Sequence, residues 1–331
     1  MSSPTKDGSD ALVVERTEGR PALAHVRPGP DATAWLVEHR EAVHRAVAEH
    51  GALLLRGCGS LEPGVFAGMA RVLLGETMVE REGFAPRDRF PGGVYSGSKW
   101  PADQPMCMHN ELSYALRFPR FLLFGCGAAP ETGGATALAD TARVLAELPP
   151  ELVERSAAVG WELRRAYRDE VGVSLADAFG GGGREEAEAY CRAHDIAFSW
   201  AGDGELRTRQ RRPATVRHPA DGRRCWFNQI AFLNHRTLDP DVRDYLLAVY
   251  GPDGLPFDTR WGDGEPIGED VVEAIQLAYE KATVREPWRA GDLLLVDNIR
   301  VAHSRDPLSG ARRVLVAMGA PTALAEVADN P

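Results

Sequence analysis

The chain has 331 residues, of which 44% are hydrophobic and 26% are charged, a composition typical of globular proteins. A chain of this length buries roughly three quarters of the surface of its unfolded state, so it needs neither disulfide bonds nor a structural metal ion to fold. The net charge of −10 argues against binding to nucleic acid or to anionic membrane surfaces.

The five cysteines are scattered and form no CxxC pair, which argues against a disulfide framework or a structural zinc site. No stretch reaches the roughly 18 apolar residues of a membrane span. The opening residues, MSSPTKDGSD, lack the apolar core of a signal peptide. We therefore expect a cytoplasmic protein that binds no membrane.

The N-terminal region predicts a loose tail, a helix, a strand and a second helix. Residues 1–20 are polar with no sustained periodicity, which is typical of a loose tail. After it, Asp31 is a candidate helix cap, apolar residues follow at helical spacing, and Gly51 ends the pattern. The apolar run 52–57 predicts a buried strand, and 61–75 predicts the second helix.

The rest of the chain mixes helical and strand patterns. The run FLLFGCGA, at 121–128, and the short runs WELRRAY and RRCWFNQIAF predict strands. The clearest late strands are 291–298 and 313–320, with a loop between them that contains His303. Further helices are expected near 141–157, 168–178, 239–250 and 268–282. This order favours an α+β domain, whose sheet joins distant segments around a helical insertion, over a doubly wound fold.

Three residues suggest a metal site. His109 and Glu111 are two positions apart in MCMHNELSY, and on an extended strand such residues project from the same face. The pair alone is weak evidence, because exposed His–Glu pairs are common and contribute little energy. His303 would complete a set of two histidines and one carboxylate, which holds Fe(II) and leaves positions open for other ligands. The three residues together predict a catalytic iron site.

Four motifs, in order, resemble a known enzyme family. They are HNELSY, PETGGATALAD, WFNQIAF and LLLVDNIRVAHSRDPLSGARRVLVAM. Over residues 30–322 the chain is similar to the TauD/TfdA family of Fe(II)/2-oxoglutarate-dependent oxygenases, and within it to the branch of the syringomycin-biosynthesis hydroxylase SyrP. The resemblance implies a mainly β fold with flanking helices (α+β), built on a double-stranded β-helix, or jelly roll. It also implies a single oxygenase domain over 21–331 with a helical insertion at about 140–285.

The resemblance assigns roles to the candidate residues. It implies that His109, Glu111 and His303 are the catalytic iron ligands, with 2-oxoglutarate and O2 as co-substrates. Thr136 matches the threonine that donates a hydrogen bond to 2-oxoglutarate. Since 2-oxoglutarate-dependent halogenases have a small residue in place of the carboxylate, Glu111 favours hydroxylation or desaturation over chlorination.

An arginine at the start of the last strand is implied to bind the distal carboxylate of 2-oxoglutarate. A guanidinium group suits this role because it is permanently charged and offers two parallel donors. Arg312 and Arg313 both fit, and on a regular strand only one of them can face the ligand. The motif of the SyrP branch favours Arg312, whereas other family members favour Arg313.

The substrate is expected to be an amino acid or an amino-acid-derived building block, free or bound to a peptidyl carrier protein, in antibiotic or other specialised metabolism. Val316 or Ala317 stands where the resemblance expects an arginine for the sulfonate of taurine, so taurine is disfavoured. Desaturation or oxidative cyclisation is an alternative reaction. A β-helix protein that binds a metal or a small acid without turnover is an alternative of another class.

Two further segments are candidates for substrate binding. Asn228 and Gln229 would either line the substrate pocket or join strands through hydrogen bonds. Arg211 and Arg212 belong to the arginine-rich run ELRTRQRRPATVRH in a chain that is otherwise acidic. This run is expected to be either a solvated loop or a binding surface for a substrate carboxylate or an acidic carrier protein.

Overall fold

The computed structural model describes residues 12–26, 31–168 and 170–328. Helices and strands contribute about equally, so the protein is mixed α/β where the sequence predicts a mainly β structure. The described α-helices are α1 (Ala32–His50), α2 (Pro63–Leu74), α3 (Thr141–Glu147), α4 (Pro150–Val159), α5 (Leu175–Phe179), α6 (Arg184–Ala193), α7 (Pro240–Tyr250) and α8 (Glu269–Ala282).

Most strands are short and come from both ends of the chain. They are β1 (Val14–Glu15), β2 (Ala22–His25), β3 (Ala52–Arg56), β4 (Arg89–Phe90), β5 (Val94–Ser96), β6 (Met106–His109), β7 (Arg117–Ala128), β8 (Thr132–Gly133), β9 (Thr136–Asp140), β10 (Trp161–Tyr167), β11 (Ala197–Trp200), β12 (Leu206–Arg212), β13 (Thr215–Arg217), β14 (Arg224–Trp226), β15 (Phe257–Trp261), β16 (Thr283–Val284), β17 (Leu293–Asp297), β18 (Val301–Arg305), β19 (Leu308–Ser309) and β20 (Arg313–Ala323).

Two sheets form the core. The larger has the order β1-β2-β3-β17-β7-β20-β5-β4, and the smaller has the order β16-β9-β18-β6. Side chains alternate along the central strands: Leu54 and Leu294 belong to the core cluster that includes residues of the smaller sheet. Leu53 and Leu293 belong to a second cluster with α1 and α2. The larger sheet is therefore buried on both faces, with helices on one side and the smaller sheet on the other. In the described part of the chain the sheets form no closed barrel.

The N-terminal elements follow the sequence signals. The Asp31 side chain accepts hydrogen bonds from the backbone N–H groups of Thr33 and Ala34, at 2.8 and 3.2 Å, and so caps α1. Gly51 ends the helix with a φ of 82°, a conformation that glycine adopts without strain. Part of the predicted tail, 1–11, lies outside the described residues, but Val14–Glu15 pairs with β2 and is not a loose segment.

The segment predicted as a helical insertion contains helices and a sheet. Strands β9 and β16 pair with each other, so the segment between them leaves the two core sheets and returns to them, although many of its side chains belong to the same hydrophobic core. Within this segment β11-β12-β10-β15 form a separate antiparallel sheet. The helix expected over 141–157 is split into α3 and α4, because Pro149 and Pro150 interrupt it.

Two other local predictions are corrected. The helix expected over 168–178 is the short α5 only, and residue 169 lies outside the described residues. In the run RRCWFNQIAF only Arg224–Trp226 is a strand, since the polar side chains that follow bond to the backbone and stabilise turns.

Candidate active site

The two histidines of the predicted metal site meet through strand register. His109 is the last residue of β6, and His303 lies in the middle of β18. The two residues are directly opposite each other in the antiparallel pair, and their ring centroids are 4.3 Å apart. The prediction that His303 lies in a loop is wrong, because β18 pairs with β6 on one side and with β9 on the other.

Glu111 reaches the histidines from a turn. Strand β6 ends at His109, so the predicted alternation along an extended strand does not apply to Glu111. The Glu111 N–H donates to Asn298 Oδ1 at 2.7 Å, and Asn298 Nδ2 donates to the Glu111 carbonyl at 2.9 Å. Asn110 Nδ2 donates to the Asn298 carbonyl at 2.6 Å. Asn298 thus clamps the turn that presents the carboxylate.

The donor atoms of the three side chains suit a metal ion. They lie within 4.8 Å of one another, and Glu111 Oε2 is 3.9 Å from His109 Nε2 and 3.7 Å from His303 Nε2. The residues are 1%, 1% and 6% exposed for His109, Glu111 and His303. His109 Nε2 and Glu111 Oε1 have no hydrogen-bond partner, whereas buried polar atoms normally have one. The donor set fits Fe(II).

The protonation states also suit metal binding. His109 Nδ1 lies 2.9 Å from the Cys107 carbonyl, so Nδ1 carries the proton and Nε2 keeps its lone pair. Burial lowers the pKa of His109, an effect that the nearby Glu111 carboxylate partly opposes. Burial and then the neighbouring His109 and Arg87 lower the pKa of His303 well below its ordinary value. Both rings are therefore neutral near pH 7, which is the form that ligates metals.

A small cavity of about 50 Å³ lies beside the two histidines. This volume is well below the roughly 300 Å³ at which ligand pockets begin, so binding of an organic ligand requires that lining groups move apart. The lining residues of the cavity are Arg87, Gly97, Ser98, Met106, His109, Phe124, Thr136, His303, Ser304, Arg305, Arg312, Val314 and Val316.

Arg312 and Arg313 occupy different environments. Arg312 lines the cavity, and its Nε donates to the Gly134 carbonyl at 3.0 Å while Nη2 donates to Thr136 Oγ1 at 3.3 Å. Burial lowers the pKa of Arg312 to about 10, so it stays charged at neutral pH. Arg313 pairs instead with Glu62 at 2.9 Å on the exposed outer side. A register shift at Arg313 and Val314 accompanies this divergence.

The substrate candidates Asn228 and Gln229 bond to the backbone. Asn228 Nδ2 donates to the Ala214 carbonyl at 2.9 Å, and its Oδ1 accepts from the Ile230 N–H at 3.0 Å. Gln229 Nε2 donates to the Asn110 carbonyl at 2.8 Å, next to the Glu111 turn. Both side chains are buried, and neither lines the cavity.

Arg211 and Arg212 lie on strand β12, away from the cavity. Arg212 is buried and donates to backbone carbonyls, including that of Tyr114 at 2.7 Å. Arg211 is exposed on the opposite face and donates to the Val159 carbonyl at 3.0 Å. The arginine-rich run is thus a strand with alternating buried and exposed residues, and only its exposed residues could contact a partner.

Several residues beside the metal site have no clear signal in the sequence. Arg87 lies in an irregular segment, and its guanidinium Nη2 is 3.2 Å from Glu111 Oε2. The Phe232 ring stacks on His109 with centroids 4.4 Å apart, and Phe84 packs edge-on against both rings. In the sequence, Asn298 is recognisable only as an asparagine that follows an apolar strand. A single arginine or phenylalanine in a loop carries no such pattern.

The chain is similar to known proteins in sequence and in fold. The family model described as taurine catabolism dioxygenase TauD, TfdA family, matches residues 18–318. The chain belongs to this family. It is 35% identical over 276 residues to the dapdiamide synthesis protein DdaC of Enterobacter agglomerans, a match that covers 83% of this chain and 84% of DdaC. It is 27% identical over 280 residues to a clavaminate synthase-like protein of Arabidopsis thaliana, with 82% of each chain covered.

Solved structures share the fold at lower identity. PvcB from Pseudomonas aeruginosa superposes with a TM-score of 0.54 at 15% identity, covering 96% of this chain and 94% of PvcB. A putative taurine dioxygenase from Burkholderia xenovorans superposes with a TM-score of 0.52 at 16% identity, covering 94% of both chains.

Family membership determines the class of enzyme. The protein is a 2-oxoglutarate-dependent dioxygenase, an oxidoreductase that uses Fe(II), 2-oxoglutarate and O2. The predicted family and cofactors are thereby confirmed. Among the described helices, none combines the length and the apolar character that crossing a membrane requires.

Proposed function

We propose that this dioxygenase hydroxylates an unactivated C–H bond of an amino acid or an amino-acid-derived building block, free or carrier-bound, in antibiotic or related specialised metabolism. The observation that carries the proposal is the buried set of His109, Glu111 and His303 with unpartnered donor atoms. The 35% identity to a dapdiamide synthesis protein supports the metabolic setting. The two stacked sheets support assignment of the core to the double-stranded β-helix, or jelly roll, architecture.

In this proposal His109, Glu111 and His303 hold the iron. Bound Fe(II) would supply the activation of O2 that is coupled to decarboxylation of 2-oxoglutarate and oxidation of the substrate. The hydrogen bond from His109 Nδ1 to the Cys107 carbonyl orients the ring so that Nε2 faces the metal position. Stacking of Phe232 on His109 keeps water from one side of the site.

Arg312 and Thr136 would bind the distal carboxylate of 2-oxoglutarate. Their side chains are already hydrogen-bonded to each other, so they present a charged donor and a hydroxyl group at one place in the cavity. Arg313 is the matched comparison, because it has the same chemistry but pairs with Glu62 outside the cavity. The cavity lining also includes the apolar residues Val314, Val316 and Phe124, which would contact the carbon skeleton of the ligand.

The first experiment tests the iron site itself. Anaerobic addition of Fe(II) and 2-oxoglutarate should give the visible charge-transfer band of the chelate, and O2 should then yield succinate. His303→Ala should abolish both signals, whereas His44→Ala, at a histidine bonded to the Leu73 carbonyl far from the cavity, should keep them. Absence of both signals in the folded wild-type protein would overturn the proposal.

The second experiment identifies the reaction. Amino acids, free and tethered to a carrier protein, are screened by mass spectrometry for products. A gain of one oxygen atom identifies hydroxylation. A loss of two hydrogen atoms would instead identify the reaction as desaturation or oxidative cyclisation and would contradict hydroxylation.

A further inference from the structure

Arg87 presents an incompletely bonded guanidinium group to the cavity. Its side chain is 5% exposed, and it lines the cavity together with His109 and His303. Nη2 donates to Glu111 Oε2 at 3.2 Å, but Nε is 3.6 Å from Glu80 Oε1, beyond hydrogen-bond distance. Arg87 Nε and Glu80 Oε1 are both buried without a hydrogen-bond partner. A buried charged donor with unused capacity is costly unless a ligand completes its bonding.

The other arginines of the cavity already have partners or roles. Arg312 is bonded to Gly134 and Thr136, where the proposed function places 2-oxoglutarate. Arg305 Nε is also buried without a partner, but both Nη atoms donate to backbone carbonyls, those of Trp100, Pro101 and Gln104. Among the three arginines of the described lining, Arg87 makes the fewest hydrogen bonds, a single one to Glu111, and therefore has the largest unused capacity for a second anion.

Aromatic rings pack beside the metal site, although they do not line the cavity. Phe84, three residues from Arg87 along the chain, packs edge-on against Phe232 with centroids 4.6 Å apart, and the Trp100 ring lies 6.4 Å from the Phe232 ring. These rings lie beside His109, a proposed iron ligand. A ligand bound at Arg87 would place its carbon skeleton near the metal site, in a cavity whose lining includes the apolar side chains of Met106 and Phe124.

We propose that Arg87 binds a carboxylate of the substrate, so that the substrate is a small acid with a free carboxylate and an adjoining apolar portion. This inference rests on the proposed function, and it adds the anchor that orients the substrate. When the acid binds, its carboxylate would accept hydrogen bonds from Arg87, including the one now unmade by Nε. Charge-assisted bonds of this kind give both affinity and orientation.

The test compares acids with neutral amides. Each standard L-amino acid and its fully amidated counterpart are titrated into the anaerobic protein loaded with Fe(II) and 2-oxoglutarate, and binding is measured by calorimetry. We expect the tightest-binding acid to bind on the order of 10- to 100-fold more tightly than its amide. In Arg87→Gln the ratio should fall to about one, because the pairing charge is gone.

A surface variant provides the control. Arg209→Gln removes an exposed guanidinium group on strand β12 and should leave the ratio of acid to amide affinity unchanged. Arg87→Met serves as a second neutral variant where the glutamine variant fails to fold. A wild-type ratio near one overturns the inference, and so does an unchanged ratio in a folded Arg87 variant.

The design separates this inference from the proposed function. If Arg87 only positions Glu111, its variants weaken the chelate band and leave the ratio of acid to amide affinity unchanged. Absence of the chelate band and of succinate in the wild-type protein would instead contradict the proposed function. A normal band with equal binding of acids and amides contradicts the role of Arg87 alone.

Discussion

His109 and His303 reach the cavity from strands, whereas Arg87 reaches it from the irregular segment 78–88. The histidines are opposite each other in a hydrogen-bonded ladder, so backbone register determines their separation. Arg87 is held by its contacts with Glu80 and Glu111. The geometry of the metal side therefore depends on backbone pairing, whereas that of the side proposed for substrate depends on side-chain ion pairs, which a ligand of suitable charge can rearrange.

The largest expected effect comes from removing a ligand on the strand side. His303→Ala should weaken Fe(II) binding by at least about 100-fold, since even partners of metal ligands contribute 10- to 100-fold. Fe(II) titration and succinate formation measure the effect. The apoprotein should remain folded, because a smaller side chain on β18 leaves its backbone pairing intact. Fe(II) affinity equal to that of the wild type would contradict the strand-based site.

The turn that presents Glu111 gives the next effect. Asn298→Ala removes the clamp and should lower the free energy of unfolding by about 2 kcal/mol, because buried backbone groups lose partners. It should also weaken Fe(II) binding about 10-fold or more. Denaturant unfolding and metal titration check the two outcomes.

Asn234→Ala is the matched control for this variant. Asn234 is buried and bonded to Thr259 and to the Arg236 N–H, but it does not line the cavity. Asn234→Ala should lower the free energy of unfolding by a similar amount and leave the affinity for Fe(II) unchanged. If both asparagine variants reduce metal binding equally, general destabilisation is the cause and the clamp has no special role.

Arg312 and Arg313 allow a buried arginine of the cavity to be compared with an exposed arginine beside it. Arg312→Gln should raise the KM for 2-oxoglutarate at least about 10-fold, because the buried cavity loses a charged donor. Arg313→Gln should change this KM by less than about 2-fold, since exposed ion pairs contribute little. Succinate formation at varied 2-oxoglutarate gives both constants, and the opposite order would assign the role to Arg313.

The smallest effect is expected on the outer face of the insertion. Arg211→Glu reverses an exposed charge away from the cavity, so turnover of a free substrate should stay within about 2-fold of wild type. The same variant should reduce turnover of a carrier-tethered substrate only if an acidic carrier protein docks on this strand. Product formation from free and tethered forms of one substrate distinguishes the two cases.

Local signals were sufficient where neighbouring residues determine the structure. Asp31 and Gly51 predicted the ends of α1, and apolar runs predicted the central strands β7, β17 and β20. Local signals failed where contacts with distant segments of the chain determine the structure. His303 was expected in a loop because its own segment is too polar for a clear strand pattern. Pairing with β6 and β9 nevertheless makes this segment the strand β18.

The sequence by itself determined the family, the cofactors and the identity of the candidate iron ligands. The motifs that indicate them can be recognised from the order of residues alone, without knowledge of the fold. Only the tertiary structure separated Arg312 from Arg313 and brought Arg87 beside Glu111. The physical reason is sequence separation. Contacts between segments far apart in the chain depend on register, bulges and burial, and these arise only when the sheets and loops pack together.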